Sequence, residues 1–173
     1  MKKTFFIIIL LCSVSMIYAA GNKEKHDGRY IEKRNFSIAV PETWDVLKIR
    51  ETKYNVLRGT FENNFAPSIN FVDENFNGNF DVYVEYFMDE IDNLFGENRE
   101  YIVISDFNTI NGLRGKLIVI TTYQQEKLIQ FNFFLFPGSN RRNMVITCTN
   151  LAIENARFNE LFVNTVRTFE WLR

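Results

Sequence analysis

The sequence contains one histidine among its 173 residues, and this scarcity excludes a large part of enzyme chemistry. His26 lies in residues 21–28, a polar stretch without periodicity that predicts a flexible leader. A catalytic triad, a catalytic zinc site or a histidine general acid needs an imidazole held rigidly in a cleft. We therefore expect a protein that is not an enzyme, with no catalytic residues, no metal ligands and no cofactor.

Cysteine is also scarce, with two residues. Cys12 follows Leu11, where a lipidation motif requires a small residue, and it lies inside an apolar run, so we do not expect a lipoprotein. Cys148 is then the only cysteine of the mature chain and has no internal disulfide partner. It shares strand parity with Met144 and Ile146, and no residue near it in sequence would lower its pKa. The pattern predicts a small buried side chain.

Residues 1–20 have the pattern of a secretory signal peptide. Two lysines begin the segment, residues 5–18 are an apolar run, and Ala19 and Ala20 supply small residues for cleavage. A retained signal anchor is the alternative, but the run is shorter than the ~20 residues that cross a bilayer. We expect a periplasmic or secreted protein whose mature chain begins near Ala20 or Gly21, without a stable transmembrane anchor.

The mature chain has the size of one domain. We predict a leader over residues 21–29 and a single domain over residues 30–173, long enough for a sizeable core. Loss of Lys2 and Lys3 with the signal peptide lowers the formal net charge from −1 to −3. Nucleic-acid binding requires a basic face, so we expect no nucleic-acid partner.

Three β-rich runs between Asn111 and Asn150 predict an antiparallel meander, since short turn segments separate them. In the middle run, one face carries Ile129, Phe131, Phe133 and Leu135, and the other carries Leu128, Gln130, Asn132, Phe134 and Phe136. A sheet with apolar residues on both faces needs cover on both faces. We predict an α+β fold, an antiparallel sheet with helices packed on both faces.

Two helices are predicted to supply this cover. The first runs from about Phe80 to Phe95, stops at Gly96 and begins at a cap on Asn79 or Asp81. The second is a C-terminal segment with apolar residues at helical spacing. These residues are Phe158, Leu161, Phe162, Val166 and Phe169.

The first helix also carries a row of acids at helical spacing. The row consists of Asp81, Glu85, Asp89 and Asp92. Such a row docks a basic partner or a cation in some proteins, but it is more often a solvated face, which is our expectation.

The segment before this helix resembles the start of a calcium-binding EF-hand loop. Asp73, Asn75 and Asn77 precede Gly78, and Asp81 follows at the ninth position. The twelfth position holds Val84, however, and Glu85 comes one place too late for a bidentate ligand. No helix is predicted before the loop. We expect a turn and no calcium site.

The N-terminal part of the domain is predicted to be a hairpin, residues 30–34 and 36–40, followed by Pro41 and Trp44. We expect Trp44 to pack back onto the sheet and Trp171 to anchor the C-terminus. The segment from Phe36 to Trp44, Phe-Ser-Ile-Ala-Val-Pro-Glu-Thr-Trp, resembles the opening of the PsbP-like (Mog1/PsbP/DcrB) superfamily. The later order of acidic helix, Asn-Gly turn, Gly115, meander and Phe-rich helix is similar to that family as well.

This resemblance implies an α/β/α sandwich and a non-enzymatic accessory or binding role in the bacterial envelope. The histidines through which plant members contact photosystem subunits or metal have no counterpart, because His26 lies outside the matched region. We therefore expect a protein-binding or accessory module, with another envelope protein as its partner and its binding residues unknown. Two alternatives stay open. One is a small-molecule or lipid carrier whose pocket is lined by Phe131, Phe133 and Phe134. The other is an enzyme that uses two carboxylates alone, which would have to converge in a cleft.

Overall fold

A computed structural model of the chain describes residues 22–23, 30–33, 35–50 and 52–172. The predicted signal peptide, Cys12 and His26 lie outside these ranges, as does most of the predicted leader. Asn22 and Lys23, the exception, form a short strand that pairs with Lys48 and Leu47. Export and the leader boundary stay predictions.

The described residues form eleven strands and two α-helices. The strands are β1 (Asn22–Lys23), β2 (Tyr30–Lys33), β3 (Phe36–Ala39), β4 (Asp45–Lys48), β5 (Val56–Arg58), β6 (Ser68–Asn75), β7 (Arg99–Asn108), β8 (Arg114–Gln124), β9 (Lys127–Pro137), β10 (Arg142–Leu151) and β11 (Glu170–Trp171). The helices are α1 (Phe80–Phe95) and α2 (Asn155–Arg167).

Eight strands form one antiparallel sheet in the order β1-β4-β5-β6-β10-β9-β8-β7. The predicted meander is confirmed as β8, β9 and β10, with Ile120 opposite Phe131 in the first pair and Phe133 opposite Thr147 in the second. Gln125 and Glu126 join β8 to β9 with positive φ angles, 48° and 65°. Two consecutive residues of this kind match the twist of a hairpin, so the turn fixes the register of the two strands.

The predicted Asn111-Gly112 turn joins β7 to β8, but through a longer loop than a two-residue turn. Gly112 has a φ of +78°, while Asn111 does not adopt a positive value. The Thr109 amide donates to the Leu113 carbonyl at 3.0 Å, and the Gly112 amide donates to the Thr109 carbonyl at 3.1 Å. The turn is therefore closed inside residues 109–113.

The N-terminal hairpin is confirmed as β2 and β3, but it lies in a separate sheet of three strands in the order β11-β3-β2. Strand β11 places Trp171 opposite Phe36, and the Ser37 hydroxyl donates to Glu170 Oε1 at 2.9 Å. Trp171 donates its indole N–H to the Pro137 carbonyl at 2.8 Å, so it anchors the C-terminus as expected.

Helix α1 covers one face of the large sheet. It begins at Asn79, whose side-chain oxygen accepts the Val82 amide at 2.9 Å, and Gly96 with a φ of 57° ends it. Its buried residues are Tyr83, Val84, Phe87, Ile91 and Phe95. The Phe87 ring packs on Phe133 and the Phe95 ring packs on Phe131, with centroids 5.3 and 5.5 Å apart.

Helix α2 and the small sheet cover the opposite face. Trp44 packs edge-on against Phe158 and Phe162 of α2, with ring centroids 6.4 and 6.0 Å away. Trp44 belongs to the same buried core cluster as Ile69 and Ile146 of the large sheet, so it packs between the sheet and α2, and its prediction is confirmed. Phe169 is buried but follows the last residue of α2. The α+β fold with helices on both faces of an antiparallel sheet is confirmed.

Candidate functional site

Strand β7 ends the large sheet and presents an exposed apolar edge. It pairs with β8 on one side, and no described strand lies on its other side. Ile102, Val103 and Ile104 are 49%, 39% and 51% exposed. Soluble proteins usually protect such edges with charges, prolines or covering segments, because free backbone groups recruit other strands. We call the outer side of residues 102–108 the β7 edge.

A β-bulge interrupts β7 and limits the length of this edge. Tyr101 pairs with Ile120 and Val103 pairs with Val119, so Ile102 is an extra residue. From Val103 onward the pairing with β8 is regular as far as Asn108. Bulges bend a strand and often lie next to functional sites. The regular part of the edge is therefore confined to residues 103–108.

The C-terminal end of helix α1 contacts β7 beside this edge. The Tyr101 hydroxyl on β7 donates to Asp92 Oδ1 at 2.6 Å, and Arg99 Nε lies 2.5 Å from the same oxygen. The hydrogen bond from Tyr101 and the charge of Arg99 lower the pKa of Asp92. Burial and the bond to Asp92 raise the pKa of Tyr101 to about 12. At neutral pH the contact thus joins a neutral phenol, a carboxylate and a guanidinium.

The predicted acid row faces this edge in part. Helix α1 contains five acids, Asp81, Glu85, Asp89, Glu90 and Asp92, and no lysine or arginine. Asp92 is neutralised by Arg99, and Asp81 is close enough to raise the pKa of Lys116, although less than Asp106 does. Within the described residues, Glu85 and Asp89 form no ion pair.

The EF-hand-like residues do not converge. Asp73 lies on β6 with its side chain 3% exposed, and its carboxylate contacts Lys53 Nζ and Arg142 Nε, each at 2.5 Å. Asn77 accepts a hydrogen bond from Arg141, and Asp81 is exposed at the start of α1. Across the described ranges, no three His, Cys, Asp or Glu side chains are grouped as a metal site requires.

Sequence reasoning missed one carboxylate environment. Glu74 on β6 accepts the hydroxyl of the buried Tyr83 at 2.5 Å. Burial raises the pKa of Glu74, and the charge of the nearby Glu90 raises it further. The hydrogen bond from Tyr83 lowers this pKa but is outweighed. Asp73 and Glu74 lie on β6, which continues as far as Asn75, so these two acids belong to the sheet. Asp73 has the same strand parity as the buried Ile69 and Phe71, which was the available signal.

An open groove of about 520 Å³ lies where β9 begins and β10 ends, and it is lined by Asn63, Lys127, Leu128, Leu151, Ala152 and Ile153. The aromatic rings expected to line a carrier pocket, Phe131, Phe133 and Phe134, are each 1% exposed and belong to the packed cores. Cys148 is fully buried, and burial raises its pKa far above the ordinary value, which matches its prediction as a small core residue.

Comparison with known proteins finds likeness in structure alone. No family model matches the sequence, and no curated protein matches it. The solution structure of cyanobacterial PsbP (CyanoP) from Synechocystis sp. PCC 6803 is similar with a TM-score of 0.62 and 9% identity, over 88% of this chain and 99% of that chain. LpqN, involved in cell envelope biogenesis of Mycobacterium tuberculosis, is similar with a TM-score of 0.63 and 12% identity, over 90% of this chain and 87% of that chain.

A third solved structure, the Ran-binding protein Mog1p of Saccharomyces cerevisiae, has a TM-score of 0.51 and 12% identity, over 87% of this chain and 96% of that chain. Neither helix in the described part of the chain is long and apolar enough to cross a membrane. The three likenesses span nearly the whole domain at low identity, so they establish its architecture. The chain has the PsbP/Mog1-like fold, as the Phe36–Trp44 segment and the order of elements had led us to expect.

Proposed function

We propose that this protein is a non-enzymatic, exported envelope protein that binds another protein through the β7 edge. One observation carries the proposal: the sheet ends in a strand with three consecutive exposed apolar residues, Ile102, Val103 and Ile104. A partner strand that paired with β7 would satisfy the free backbone groups and cover these side chains together. The likeness to LpqN, which is involved in cell envelope biogenesis, supports a role in the envelope.

The two carboxylates of β6 already have structural partners. Asp73 is paired with Lys53 and Arg142, and Glu74 accepts the hydrogen bond of Tyr83. This use of the carboxylates supports a binding role over hydrolysis by two acids. The carrier alternative receives less support, because its three proposed lining rings are core residues.

Photo-cross-linking in the native host tests the binding surface. A benzoylphenylalanine placed at Ile104 should give a discrete cross-linked product, which the Val103→Lys substitution should remove by charging the edge. The same probe at Ile153, which is 90% exposed just after the end of β10, is the matched control. Identical products at both positions, or no product at Ile104 under any growth condition, would contradict docking at β7.

Export is tested separately by N-terminal sequencing of the protein from envelope fractions. The chain should begin near Ala20 or Gly21, because a signal peptidase cleaves after small residues. Recovery of intact Met1 from those fractions would contradict signal-peptide processing.

A further inference from the structure

We infer that the β7 edge binds a short extended segment of the partner in which apolar residues alternate with lysine or arginine. The segment would add to the large sheet as a ninth strand beside β7. This inference rests on the proposed function and specifies the chemistry of the partner.

The position of α1 along β7 determines which charges an added strand meets. Asp92 is bound to Tyr101, and Asp81 lies near Lys116, which contacts Asp106 at 2.6 Å. The helix lies over β9, where Phe87 packs on Phe133, and its acid row is turned toward β7 at Asp92. Phe133 pairs with Ile118, and Ile118 pairs with Ile104. The turn of the helix around Phe87 is therefore level with Ile104.

Glu85 is close to the level of Ile104. It precedes Phe87 by two residues, which is a rise of about 3 Å along the helix. Ile104 pairs with Ile118, a residue of the core under α1, so Ile104 lies on the same face of the sheet as the helix. A strand added beside Ile104 would thus present its side chains on that face to Glu85.

The charges near this position favour a basic segment. Lys116 is paired with Asp106, and Arg114 also lies near Asp106. Glu85 and Asp89 form no ion pair with any described residue, and α1 has no cation of its own. Lysine or arginine on the α1 face of the added strand would meet these carboxylates, while its apolar residues would cover Val103 on the opposite face.

The same charges disfavour a second copy of this chain. Antiparallel pairing of β7 with its own copy would keep both α1 helices on one face, with both acid rows turned toward the junction. Like charges across such a junction are repulsive. A separate basic segment therefore fits better, and the bulge at Ile102 limits it to about the length of residues 103–108.

Fluorescence anisotropy with three labelled seven-residue peptides tests the inference. The first alternates lysine with valine, the second alternates glutamate with valine, and the third is the first with methylated backbone nitrogens. We expect the lysine peptide to bind at least about tenfold more tightly than the glutamate peptide. Methylation should abolish binding, because it removes the donors of the strand ladder. Binding should weaken with salt.

Matched variants then locate the charge and the edge. Glu85→Lys should weaken binding of the lysine peptide about threefold to tenfold. Glu160→Lys makes the same charge change on α2, an exposed position on the other face, and should leave binding unchanged. Ile104→Ser removes an exposed apolar side chain from the β7 edge without changing the charge of the protein. It should also weaken binding of the lysine peptide. Circular dichroism confirms that each variant is folded.

The outcomes separate this inference from the proposed function. Equal binding of the lysine and glutamate peptides, or equal effects of Glu85→Lys and Glu160→Lys, would overturn the basic segment, while cross-linking at Ile104 would still support docking at β7. Failure of all peptides to bind would also overturn it. A dimer in sedimentation that Ile104→Ser converts to monomer would replace the segment by a second copy.

Discussion

The hydroxyl of Tyr101 donates to the carboxylate of Asp92 at 2.6 Å and thereby ties the last strand of the sheet to the helix that covers it. Tyr101 lies beside the bulge at Ile102, where the ladder with β8 is interrupted. A side-chain contact at this point compensates for the missing regular pairing. It also holds the acid row of α1 next to the β7 edge.

Tyr101→Phe should therefore lower the unfolding free energy by about 1 kcal/mol, the usual contribution of one hydrogen bond. For a domain of this size the melting temperature should fall by about 2–4 °C. Tyr123→Phe serves as the control, because Tyr123 is largely exposed at the β8–β9 hairpin. Equal effects of the two substitutions in thermal unfolding would show that the contact with Asp92 contributes nothing.

Asp73 should stabilise the fold only where it is ionised. Burial alone would raise its pKa, but the hydrogen bonds from Lys53 and Tyr54 and the charges of Lys53 and Arg142 outweigh it and lower the pKa below 3.8. The contribution is therefore present above that pH and is lost as the pH falls through the lower folded-state value.

Urea unfolding of the wild type and of Asp73→Asn checks this pH dependence. At pH 7 the variant should be less stable by about 1–3 kcal/mol, since hydrogen bonds to a charged group are lost. The difference should shrink in acid, below about pH 4. A difference that stays constant from pH 7 into that range would contradict the assignment.

Glu74 should have the opposite pH dependence. Its pKa is raised above 4.5, so its contribution to stability is present below that value and declines as the pH rises through the higher folded-state value. Glu74→Gln keeps an acceptor for the Tyr83 hydroxyl and removes the buried charge. It should be at least as stable as the wild type at pH 7, with the advantage disappearing in acid. Glu100→Gln, an exposed position on β7, is the control and should change nothing.

Gly115→Ala should be strongly destabilising. A Cβ at this position would lie 2.3 Å from the Leu135 carbonyl oxygen and 2.6 Å from the Phe136 ring, so the β8–β9 ladder would have to move. We expect a loss of about 3 kcal/mol, at the upper end for overpacking. Gly112→Ala, where a Cβ meets nothing within 4 Å and only the φ of +78° is strained, should cost about 1–2 kcal/mol. Equal melting temperatures for the two variants would exclude the clash as the cause.

The features that sequence reasoning predicted well are local ones. Helix α1 begins at the Asn79 cap and ends at Gly96, and both are short-range sequence signals. The strands of the meander carry apolar residues on both faces, which predicts a covering layer on each face. Strand β11 escaped prediction because two residues are too few to show a period. The bulge at Ile102 and the place of β7 at the end of the sheet depend on which strands meet over long range, and composition does not encode that order.

The same difference between local and long-range features holds for the candidate site. The acid row on α1 follows from helical spacing, but its neighbour does not, since only the folded chain brings Asp92 to Tyr101. The sequence alone also does not reveal that Ile102 and Ile104 are exposed. In sequence, residues 101–104 are four consecutive apolar residues, a pattern that does not distinguish an edge strand from an internal one.

The small sheet affects how the domain is completed during synthesis. Its bond between Ser37 and Glu170 joins positions 133 residues apart. Contacts of such separation form slowly, because a long stretch of chain must be ordered before they add stability. A growing chain cannot close this sheet until Glu170 and Trp171 have left the ribosome, so the hairpin of β2 and β3 must wait for its third strand. If the protein is exported as an unfolded chain, this late closure keeps the domain open for translocation until the segment around Glu170 has been made.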